Sequence, residues 1–100
     1  MISRQWRGLA DAQHAEAYAE HLRTETFPQL RSIDGFVGAQ LLKRRVEQGV
    51  EFLVVTQWQS LEAIQRFAGA DVEAAVVPEK VQTMMIDFDR RVRHYEVIIG

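Results

Sequence analysis

The sequence predicts an α+β fold in which a four-stranded antiparallel sheet carries two helices on one face. Three observations predict it. Apolar residues alternate with a period of two in four separate stretches. Two stretches between them follow helical spacing. The order in which they alternate is β-α-β-β-α-β. Right-handed crossovers turn that order into one sheet with both helices on the same side, the ferredoxin-like arrangement.

The first strand is read over 1–8, with Ile2, Arg4 and Trp6 on one face, Ser3, Gln5 and Arg7 on the other, and Gly8 as its end. Asp11 is placed to cap the first helix, in which Ala12, Ala15, Ala19 and Leu22 recur at helical spacing beside Tyr18. Pro28 lacks an amide proton and disfavours helical geometry at Phe27, so the helix is expected to end or kink there. The "DGF" turn at 34–36 opens a second strand over 36–46, and a short glycine-containing turn joins it to a third over 51–59. Ser60 caps the second helix, whose face carries Leu61, Ile64 and Phe67 and which stops at Gly69. Residues 70–77 read as a loop or a helical turn, and Pro78 opens a short helix. The last strand is read over 88–99, with Val92, His94, Glu96 and Ile98 facing one way and Arg93, Tyr95, Val97 and Ile99 the other.

The third strand raises a problem of cover. Phe52, Val54, Thr56 and Trp58 lie on one face, Leu53, Val55 and Gln57 on the other, so apolar side chains occupy both. Helices cover one face only. A second copy of the chain, sheet against sheet about a two-fold axis, is the expected cover for the other. Such a homodimer would bury roughly 1,200–2,000 Å² or more.

One hundred residues make a single domain, 1–100, of ordinary globular composition. A net charge of −2 supplies no general field for nucleic acid or anionic lipid. The clusters "KRR" at 43–45 and "RRVRH" at 90–94 have acids nearby and read as solvated strand ends. With no cysteine there are no disulfides or thiolate metal sites. No signal-peptide core or membrane-length apolar run is present, so a cytoplasmic location is expected.

The stretches "GFVGAQLLKR", "VEFLVVTQWQSLEAIQRFAG" and "RVRHYEVI" resemble the antibiotic biosynthesis monooxygenase superfamily of dimeric α+β barrels. The resemblance spans nearly the whole chain and rests on a turn glycine, strand alternation and a helix cap. It implies a pocket in each subunit between helices and sheet, roofed by the second helix and the loop after it. Activities in the superfamily it resembles include cofactor-free oxygenation of polycyclic aromatic compounds and haem degradation. The haem-degrading branch uses an asparagine, a helical tryptophan and a histidine. This chain has no asparagine, has Phe67 at the tryptophan position, and has no histidine between His21 and His94. Haem degradation is therefore not expected, and no cofactor is assigned.

The residues leave two functions open. One is a small cofactor-independent monooxygenase acting on an aromatic or enolisable molecule. His94 would be its acid–base group, and Arg4, Trp6, Trp58 and Phe67 its substrate contacts. The other is a non-catalytic module that binds a hydrophobic small molecule or serves as an accessory dimerisation subunit. His94 could equally make a hydrogen bond at the dimer seam, Trp6 and Trp58 could be packing, and Arg4 could form an intramolecular salt bridge. His14 and His21 are about 10.5 Å apart along a helix, too far to share a metal.

Overall fold

A computed structural model describes residues 1–100. Its strands are β1 (Ile2–Ala10), β2 (Phe36–Val46), β3 (Gly49–Trp58), β4 (Met85–Phe88) and β5 (Arg93–Glu96). The sheet is antiparallel in the order β2-β3-β1-β4, with β5 also pairing β1, which is the expected ferredoxin-like topology.

β1 runs past Gly8 to Ala10. The glycine does not stop the strand; it makes room. A Cβ at residue 8 would lie 2.4 Å from the Trp6 ring, two residues back on the same face. Gly35 has a different role: φ is +94° in the turn before β2, and an added Cβ would meet Ala63 Cβ at 2.5 Å. The β2–β3 hairpin closes over Glu47 and Gln48 with Val46 opposite Gly49.

The first helical segment differs from expectation at Pro28. α1 (Ala15–His21) passes into a π-helical turn (Leu22–Thr26) and then into α2 (Phe27–Arg31) without ending. Proline cannot donate to the carbonyl four residues back and its ring crowds that carbonyl. The wider turn just before it, closed by Phe27 N–H to Leu22 O, absorbs the misfit. Asp11 caps the turn leading into α1 through His14 N–H at 3.1 Å, so the helix begins later than the aspartate suggests. α3 (Leu61–Ala68) starts as expected, with Ser60 Oγ accepting from Ala63 N–H, and stops at Gly69, φ +86°. A short α4 (Glu79–Gln82) follows Pro78.

The final strand is interrupted. Asp89 N–H still donates to Arg7 O of β1 at 2.9 Å, and residues 90–92 then leave the β1 ladder. Asp89 O accepts the Trp6 indole N–H at 2.8 Å, and Val92 N–H donates to Glu73 O at 2.8 Å.

Ile2, Arg4, Trp6 and Ala10 lie opposite Trp58, Thr56, Val54 and Val50, so they share one sheet face. That face meets the helices in two clusters. One joins Ala10, Val50 and Phe52 to Tyr18, Leu22, Val81 and Met84; the other joins Trp58 to Leu30, Ala63 and Ile64. The opposite face carries Gln5, Leu53, Val55 and Gln57, with Leu42 and Tyr95 exposed. Glu51 lies there too, bridging Arg7 at 2.7 Å and Arg44 at 2.8 Å. Three of the six Lys and Arg in the two basic clusters have acidic partners: Arg44 with Glu51, Arg91 with Asp71 at 3.0 Å, and Arg93 with Asp89 at 3.6 Å. No helix is long and apolar enough to cross a membrane.

Candidate functional site

A cavity of about 140 Å³ opens between the sheet and the helices. Its floor is the helix-facing side of β1 and β3: Arg4, Trp6, Val54 and Thr56. One wall is the long helical segment, contributing Tyr18, His21, Leu22, Thr26, Gln29 and Leu30. Residues 18, 22, 26 and 30 are spaced by fours, which in an α-helix would drift roughly 120° over three steps. The π-helical turn winds less per residue and keeps them on one side. Phe67 of α3 closes one end, and Val76, Val77, Pro78 and Val81 form the roof.

The roof loop is tied down from below by Arg4. Its guanidinium donates to Val72 O, and to Ala74 O at 2.9 Å. Its Nη1 also donates to His94 Nε2 at 3.0 Å. The segment just before β5 holds the same loop, with Ala75 N–H to Arg90 O at 3.0 Å and Asp71 paired with Arg91. Arg4 also sits 5.7 Å from the centre of the Phe67 ring.

Arg4 is 5 % exposed and pairs with no carboxylate. The intramolecular salt bridge open to it in the sequence does not form. Burial without a counter-ion pulls its pKa down to about 10. Its charge is met only by carbonyl dipoles, an aromatic face and a histidine lone pair. An anion entering the cavity would supply the missing partner.

His94 serves that arginine and is absent from the cavity lining. Guanidinium cannot accept a hydrogen bond, so Nε2 must be the acceptor and the ring neutral. Partial burial, then the Arg4 charge, lower the His94 pKa, with Glu73 opposing. Trp58 is likewise behind the wall: it is 0 % exposed, donates its indole N–H to Thr56 Oγ1 at 2.9 Å, and stacks on Phe67 at 6.0 Å. Of the five residues picked from the sequence, Arg4, Trp6 and Phe67 reach the cavity. Trp58 and His94 each support one that does.

Two polar groups on the wall were passed over in the sequence. Tyr18 is 2 % exposed, and burial alone raises its pKa. His21, whose side chain is 9 % exposed, directs Nδ1 to Glu25 Oε2 at 3.1 Å, and Lys80 holds the same oxygen at 3.1 Å. The available signal was the His21–Glu25 spacing of four on a helix. Which way that pair faces depends on the π-helical turn, which the sequence does not announce.

Cavities of about 150 Å³ accept one benzene-sized ring, so this one suits a single ring as it stands. It is mostly apolar with a few convergent polar groups, the usual composition of a small-molecule site.

Comparison with known proteins agrees with the architecture. The haem degrader MhuD of Mycobacterium tuberculosis, solved with two haems in its active site, superposes with a TM-score of 0.68 at 21% identity, covering 100% of this chain and 98% of that one. The ActVA-Orf6 monooxygenase of Streptomyces coelicolor, in complex with nanaomycin D, gives 0.65 at 16% identity, with 99% and 91% covered. The PA3566 protein of Pseudomonas aeruginosa gives 0.68 at 17% identity, with 98% and 94% covered. No curated protein matches the sequence. The model of the antibiotic biosynthesis monooxygenase family matches residues 2–83, and the chain belongs to that family.

Proposed function

We propose that the protein is a small cofactor-independent monooxygenase whose substrate is a single-ring phenol or enol bound as its anion. One observation carries this reading: a buried arginine without a carboxylate partner lies in the wall of a one-ring apolar cavity. Trp6 and Phe67 offer aromatic faces to the ring, and Tyr18 offers a hydroxyl. Arg4 stabilises the developing oxyanion in a mostly apolar cavity, where such a charge is worth more than in water. His94 and Trp58 hold Arg4 and Phe67 in place.

The chemistry needs only dioxygen as co-reactant. A ring anion passes one electron to O₂, and the resulting radical pair joins to form a carbon–oxygen bond. Loss of water then leaves a quinone. For a phenol the sum is phenol plus O₂ giving quinone plus water: the ring loses four electrons, and O₂ gains four. One oxygen atom enters the product. We propose further that the chain works as a homodimer through the sheet face carrying Leu42, Leu53, Val55 and Tyr95.

A second reading is a binding or accessory module without turnover. It is favoured by the absence of asparagine from the chain, and by Phe67 at the position of the family's tryptophan. The two separate on one assay. Monocyclic phenols and hydroquinones are incubated with protein under ¹⁸O₂, and both oxygen uptake and product mass are followed. Label in a quinone product, abolished by Arg4→Met, is the expected result. Saturable binding with no uptake above buffer for any compound would sink the oxygenase reading in favour of the module.

A further inference from the structure

We infer that His21 is the group that takes the proton from the bound ligand, with Glu25 as its positioning residue. The inference rests on the proposed anion site at Arg4 and names the base that would generate the anion there.

The geometry is that of a base held by a carboxylate. His21 lies on the cavity wall, and its Nδ1 faces Glu25 Oε2 at 3.1 Å. An ionised carboxylate only accepts, so Nδ1 carries the proton and Nε2 keeps its lone pair. The Nδ1 contact to Glu25 is the ring's hydrogen bond within the chain, and it leaves Nε2 open. Lys80 fixes Glu25 from α4, and the carboxyl pKa is lowered, first by the Lys80 hydrogen bond and then by that of His21. His94 is set up the opposite way. Its Nε2 is occupied by Arg4, whose charge opposes protonation. Of the two histidines, His94 has its Nε2 taken by Arg4 and lies off the lining, and His21 lies on the lining with Nε2 outside its one hydrogen bond.

The step is a single proton transfer. The ligand O–H bond breaks, its electron pair stays on the oxygen, and a new N–H bond forms on the His21 Nε2 lone pair. The oxyanion is met by Arg4, and the imidazolium by Glu25.

The test uses 4-nitrophenol, whose phenolate is yellow and whose phenol is not, with protein carrying ¹⁵N-histidine. At a pH where the free probe is mostly neutral, wild type is expected to bind it as phenolate while the His21 Nε2 resonance moves to its protonated position. His21→Gln, which can still donate to Glu25, is expected to lower the bound phenolate-to-phenol ratio about tenfold, one pKa unit. Glu25→Gln should lower that ratio in the same direction with total affinity little changed, which a merely structural role would not do. Phenolate bound through Arg4 with an unmoved His21 resonance, or an unchanged ratio in His21→Gln, would overturn the assignment and leave the Arg4 site standing. If wild type does not bind the probe, or Arg4→Met binds it equally well, the anion site itself fails and this assignment falls with it.

Discussion

Arg4 and His94 face each other from paired positions on β1 and β5, and their contact makes each one's charge the other's concern. A neutral His94 accepts from the guanidinium; a protonated one would confront it. Its folded pKa lies below the ordinary 6.5, so the unfolded chain binds the proton more readily. Stability contributed by this group is complete above about pH 6.5 and is lost as pH falls through the lowered folded value. Denaturant titrations across that range should show wild type losing stability on acidification more steeply than His94→Gln; parallel curves would remove His94 from the account. At this scale the sequence was informative about residue type and less so about direction. Alternation placed Arg4 and Trp6 on one face correctly. It left open which face of β3 joins them, and could not say that Phe67 would lie between the Trp58 indole and the cavity.

At the scale of elements, local signals succeeded where one residue controls one turn. Ser60 caps α3 as its position suggests, and Ser60→Ala should cost about 1 kcal/mol in chemical denaturation. Gly8 was misread because a glycine that ends a strand and one that makes room for a neighbour look alike in a sequence. The structure separates them: Gly8→Ala must displace the Trp6 ring. It should destabilise by about 1–3 kcal/mol and alter tryptophan fluorescence. A stable variant with unchanged emission would contradict the packing. Pro28 was legible as a disturbance, but its outcome was not. A break, a kink and a π-helical turn all relieve the same missing amide, and packing on the sheet decides among them. That choice sets the direction of His21, which is why the candidate base was invisible before the structure. The last strand failed for a similar reason: its alternation continues through 89–92, but the Trp6 indole and the roof loop claim those residues.

Over the whole molecule, the ferredoxin-like topology followed from patterning, because period and chirality leave few alternatives, while the face of each strand that the helices cover did not. The opposite face, with Leu42 and Tyr95 exposed, is where a second copy is proposed to sit. Light scattering after gel filtration should give a dimer at micromolar concentration, and Leu53→Glu should give a folded monomer; a monomeric wild type would refute the proposed interface. The central claim concerns the cavity, and calorimetric titration with benzoate, set against its neutral counterpart benzamide, tests it most directly. The account predicts saturable benzoate binding, one per chain, at least about tenfold tighter than benzamide, a difference of about 1.4 kcal/mol. It also predicts that Arg4→Met removes this preference. Equal affinity for the two, or a preference that survives Arg4→Met, would contradict it.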